Sequence, residues 1–115
     1  MAVPYTKTNV GDKLFTISWN LNPDQPTNDI GDVFEAVDCE LLSVFAHTPE
    51  VSGFDTVLNV SNWPTAPADS IFATLNLNGV ALSKETPRAR YYWPRGFGVS
   101  SVAPVCKVAL LFKEL

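Results

Sequence analysis

From Leu14 to Asn20 the chain alternates residue by residue. Phe15, Ile17 and Trp19 fall on one side and Thr16, Ser18 and Asn20 on the other, the period-two pattern of a half-buried strand. Later segments repeat the theme less strictly. Phe54 to Asn62 carries Val57, Leu58 and Val60. Ser70 to Leu77 places Ile71, Ala73, Leu75 and Leu77 on one side. Asn78-Gly79 then predicts a tight hairpin, because both residues tolerate positive φ, with Val80 to Ser83 returning. Ala89 to Trp93 is aromatic strand material that Gly96-Phe97-Gly98 should break, and Cys106 to Phe112 is a last apolar strand.

Residues 33–47 read two ways. Val33, Phe34, Val37, Leu41, Val44 and Phe45 lie near helical spacing. Val33, Val37, Cys39, Leu41 and Phe45 equally share one side of a strand pair, 33–37 and 39–47, bent near Asp38. The strand content around them favours strands. Between the elements, Asn20 to Asp32 holds two prolines and many turn formers, and Trp63 to Asp69 is a proline-bounded loop. Residues 1–12 show no periodicity and read as an arm or first loop before a domain spanning 13–115. The expected fold is all-β: a single-domain β-sandwich or jelly roll of about seven to eight short strands.

Composition narrows the function. The 115 residues are 46% hydrophobic and only 17% charged, which leaves few charges to cover a small domain's surface and favours burial against partners. The net charge of −4 argues against a sequence-independent nucleic-acid binder. No apolar run is long enough for a membrane helix, and residues 1–10 lack a signal core, so an unprocessed product of the cytosol is expected. Cys39 and Cys106 then read as reduced thiols, and Asn59-Val60-Ser61 as a chance sequon.

Little points to catalysis. His47 is the only histidine, and no spacing supplies it with an orienting group and an oxyanion site. Asp24, Asp29, Asp32, Glu35, Asp38 and Glu40 cluster, but loop 20–32 lacks the spacing of a calcium loop. Gly96-Phe97-Gly98 has no lysine and helix behind it to cradle a phosphate. No cofactor, metal or catalytic set is expected.

The segment that stands out is Arg88-Ala-Arg-Tyr-Tyr-Trp-Pro-Arg95, with three of the chain's eight basic residues. Aromatics beside arginine favour contact surfaces. In one reading Tyr91 and Trp93 face the core while Arg88, Arg90 and Tyr92 cover the outer face. In the other, Arg88, Arg90, Tyr92, Trp93 and Arg95, with Trp63 from its loop, reach a partner. That partner is a protein or, with Trp63, Tyr92 or Trp93 as stacking rings, a sugar. A third reading has the acidic stretch Asp24 to Glu40 mimicking nucleic acid in an inhibitor.

The stretch Cys39-Glu-Leu-Leu-Ser-Val-Phe-Ala-His47, the turn after it, Phe54-Asp-Thr-Val-Leu-Asn-Val60, Arg90-Tyr-Tyr-Trp93 and Val105 to Phe112 resemble the strands of small β-sandwich structural proteins of tailed bacteriophages, the capsid decoration (cement) proteins among them. The likeness covers roughly 33–112 as a strand pattern and transfers no functional residues. It implies a non-enzymatic virion protein, made in the host cytoplasm, that docks on capsid or other virion proteins, often as a homotrimer.

Overall fold

In the computed structural model the described residues are 2–21, 30–48, 54–62, 71–76, 79–84, 89–98 and 106–115. They form eleven strands: β1 (Ala2–Val3), β2 (Thr6–Gly11), β3 (Leu14–Leu21), β4 (Ile30–Gly31), β5 (Phe34–Glu35), β6 (Cys39–Thr48), β7 (Phe54–Ser61), β8 (Ile71–Asn76), β9 (Gly79–Lys84), β10 (Tyr91–Gly98) and β11 (Cys106–Glu114). Sheet I runs β1-β4-β10-β7-β8 with β5 also on β10; sheet II runs β2-β3-β11-β6-β9. The fold is all-β, two sheets face to face. The 33–47 ambiguity resolves as strands.

The second half of the chain returns antiparallel along the first. β11 lies on β3, β10 on β4 and β5, β9 on β6, and β8 on β7. Two further ladders, β11 on β6 and β10 on β7, divide this long ribbon between the sheets. That interleaving is the strand order of a jelly roll.

The core follows from the alternation. Phe15, Ile17 and Trp19 of β3 meet Val108, Leu110 and Phe112 of β11 and Leu41, Val44 and Ala46 of β6, and sheet I closes on them with Leu58, Val60 and Tyr92. An aromatic chain runs through one end: Phe34 stands 5.0 Å from Phe112, Phe112 5.6 Å from Tyr92, and Tyr5 5.5 Å from Phe34. Trp19 donates its indole N–H to the carbonyl of Asp32 at 3.0 Å, which ties sheet II to the turn after β4.

Expectations for residues 1–12 and for β10 need correction, and so does the hairpin at Asn78-Gly79: β8 lies on β7 in sheet I and β9 on β6 in sheet II, so the two strands belong to different sheets and β9 does not return along β8. The described part of 1–12 is mostly strand rather than loop: β1 (Ala2–Val3) runs parallel to β4 in sheet I, and β2 (Thr6–Gly11) pairs with β3 in sheet II, so the arm straps both sheets. Every residue of β2 is exposed, so no buried face imposes a period on its sequence. The second correction concerns β10, which runs on through Pro94 and Gly96 to Gly98, fully paired with β7. On its other side, among the described residues, β10 meets the short β5, at Tyr91 and Tyr92, and β4, at Arg95. Pro94 lies at the gap between them, in keeping with its missing N–H.

Candidate docking faces

The strand alternation of β10 splits the aromatic-basic segment. Tyr92 points inward, 1% exposed, against Phe112. Its hydroxyl accepts a hydrogen bond from the Ala89 N–H at 2.7 Å. Tyr91, Trp93 and Arg95 take the opposite side, the outer face of sheet I, beside Ser61, Asn59 and Val57 of β7. Both assignments of Tyr92 to an outer or partner-facing surface are therefore corrected, as is the placing of Tyr91 and Trp93 toward the core. The pattern Tyr-Tyr-Trp offers an aromatic to either face, so the sequence carried no parity signal. Trp93 is only 7% exposed, so its ring presents no open platform to a sugar. Arg95 is half-buried on the same face. Arg88 and Trp63 lie outside the described residues, as do Asp24, Asp29 and the side chain of His47.

Arg90 occupies a bend before β10. Its Nη2 stands 3.4 Å from Glu35 Oε1, with the two side chains 57% and 44% exposed, and its guanidinium lies 5.9 Å from the Tyr91 ring centre. An exposed pair of this kind contributes little. Arg90→Ala is expected to change unfolding stability by less than about 0.5 kcal/mol in urea melts; a larger loss would give the pair a structural role.

Sequence reading missed a different surface, the outer face of sheet II. On its central strands, Phe45 lies beside Ala109 and Ser43 beside Leu111. Thr16 and Ser18 continue these rows on β3, and Thr8 and Thr6 on β2. Phe45 and Leu42 are each 45% exposed. On this face charges enter the central strands at the ends, as Lys107 at one and Lys113 with Glu40 at the other. A bulge produces the pattern. Leu111 pairs with Ser43 but Phe112 pairs with Leu41, so Leu42 is an extra residue and the facing of β6 switches across it. Leu41 points in before the bulge, and Val44 and Ala46 point in after it. The expectation that Leu41 and Phe45 share a side is thereby overturned. The same phase change mimicked helical spacing.

Two open clefts flank the turn at Val37 and Asp38, where Asp38 adopts φ 52°. One, about 480 Å³, is lined by Ala36, Val37, Asp38, Asn62, Ala89 and Arg90; the other, about 420 Å³, has Phe15 and Phe34 in its wall with Lys7 and Glu35. Among the described residues no group of three or more His, Cys, Asp or Glu is placed to hold a metal ion.

Cys39 and Cys106 are free thiols, the first half-buried and the second buried. Burial pushes Cys106 above the usual 9.0, opposed by a hydrogen bond with Thr56. Burial also raises Cys39, with Lys7 opposing and Asp38 and Glu114 reinforcing. Tyr91 is raised above its usual 10.0, first by its hydrogen bond to Glu35. In all three the folded chain holds its proton more tightly than the unfolded one, so their contribution is intact below the unfolded values. Stability should start to fall as pH rises through about 9 and fall further above 10. Urea melts across this range check it; unchanged stability up to pH 10.5 would contradict it. Alkylation followed by mass spectrometry should modify Cys39 before Cys106 in the folded chain.

No family model, curated protein or solved structure matches the chain. What the geometry defines is a jelly-roll sandwich whose outer sheet II face is partly apolar at the centre of β6 and β11 and carries Lys107, Lys113 and Glu40 at its ends.

Proposed function

We propose that the chain is a non-enzymatic virion structural protein that works by protein–protein contact: a capsid decoration protein, or a related protein docking on a shell or tail. The observation that carries this reading is the outer face of sheet II. The outer face of a solvated sandwich alternates to polar residues. Here the two central strands present Leu42, Phe45, Ala109 and Leu111 with no charge among them. Exposed apolar surface on a sheet, rimmed by threonine, serine and lysine, marks a protein contact. The jelly-roll order agrees with this class, since the architecture serves viral capsid domains, although that support is analogy at the level of fold. It serves lectins too, but Tyr92 and Trp93 are buried, which removes two of the three rings a sugar-binding reading needs.

The test is direct. Tryptic peptides of the chain are expected in gradient-purified virions of the virus encoding it, at a stoichiometry tied to the shell or tail. Peptides present in infected-cell lysate but absent from the virions would refute the proposal.

A further inference from the structure

We propose that the outer face of sheet II is the contact between two copies of this chain, related by a two-fold axis along the seam between β6 and β11. The inference rests on the protein-contact reading above and names its partner. A two-fold interface presents one patch to itself, so each row must complement the row that the axis lays over it. An axis along this seam lays β6 of one copy over β11 of the other.

The observed register makes that exchange favourable. Phe45 and Ala109 are neighbours, so the axis sets each large ring over the small alanine of the second copy. Ser43 and Leu111 are neighbours, so Leu111 meets the second copy's Ser43 with Leu42 beside it. Glu40 and Lys113 are neighbours at the charged end, so each carboxylate faces an ammonium across the interface. A two-fold along the centre of β11 would instead set Lys113 over Lys113. Charge thus excludes the axis on β11, and both size and charge fit the β6–β11 seam.

The area is that of a small interface. With the axis on the seam, β3, β11, β6 and β9 lie over their counterparts, and four strands spaced about 4.8 Å apart and about 20–30 Å long give roughly 400–550 Å². A standard interface takes about 800 Å² per partner, so the pair is a weak dimer that dissociates on dilution. The pairing differs from the trimer that the phage resemblance implies, so the measured mass separates them.

Light scattering on the purified chain at several concentrations should give twice the 12.6 kDa chain mass. Phe45→Lys should weaken the association at least about thirtyfold, the scale of a lost interface anchor. Circular dichroism should show it folded, since the side chain is already half in solvent. A charge exchange then isolates the contact between copies. Glu40→Lys alone and Lys113→Glu alone each place like charges across the interface and should be monomeric at concentrations where the parent is a dimer. Mixing the two variants should restore a dimer, because every crossing pair becomes opposite in sign while each chain keeps its own like pair. A monomeric or trimeric parent, a dimeric Phe45→Lys, or no recovery on mixing would overturn the proposal. Virion incorporation is read separately, so a monomer found in virions would end this inference and leave the function standing.

Discussion

Tyr92→Ala is expected to destabilise the chain by about 3–5 kcal/mol, enough to unfold a marginal domain of this size. Its ring fills the space between β10 and Phe112, 5.6 Å from that ring's centre, and the surrounding strands cannot collapse into the cavity left behind. Tyr92→Phe keeps the ring and loses only the hydroxyl that accepts from the Ala89 N–H, so about 1 kcal/mol is expected. Urea unfolding of both variants measures the difference. Equal and small effects would mean that Tyr92 faces solvent, as the aromatic-basic reading of the sequence required.

Gly31→Ala is the second large effect. A Cβ at this position would stand 2.5 Å from Pro94 Cδ, 2.6 Å from Pro94 Cγ and 2.8 Å from Trp19 Cδ1. Neither neighbour yields cheaply. The proline ring is rigid within a paired strand, and the indole is held by its hydrogen bond to Asp32. Over-packing of this kind costs about 1–3 kcal/mol, and here β4 would have to leave β10 to relieve it. Thermal melts of Gly31→Ala beside the parent test the prediction. An unchanged midpoint would mean that β4 is free to move away from the sandwich.

The parts of the fold that were legible in sequence are those where one face is buried and the other is not. β3 shows this best: Phe15, Ile17 and Trp19 alternate with polar residues because β3 packs on the core with one side only. β11 is legible for the same reason. Legibility failed where this one-to-one relation failed. In β6 the extra residue Leu42 reverses the facing, so a period-two reading from Leu41 puts Phe45 in the core when it lies outside. In β2 neither face is buried, and a strand without a buried face has no pattern to read. In β10 aromatic residues fill both faces, so composition located the segment while parity stayed hidden.

The candidate site suffered most from this. Arginine and aromatic content drew attention to 88–95, yet within the described part of that segment only Arg90 is exposed. The outer face of sheet II has no comparable marker, because Leu42, Phe45, Ala109 and Leu111 look like core residues one at a time. They become a surface only when the β6–β11 register is known.

Hydroxyl-radical footprinting of the free chain and of the same chain in virions tests the central claim most directly, that the outer face of sheet II is a protein contact. Leu42 and Phe45 should be labelled in dilute monomer and protected in the particle, while Val37, 52% exposed in the turn between β5 and β6, serves as an internal reference that responds only to other contacts. Equal labelling of Leu42 and Phe45 in the two states would contradict the account.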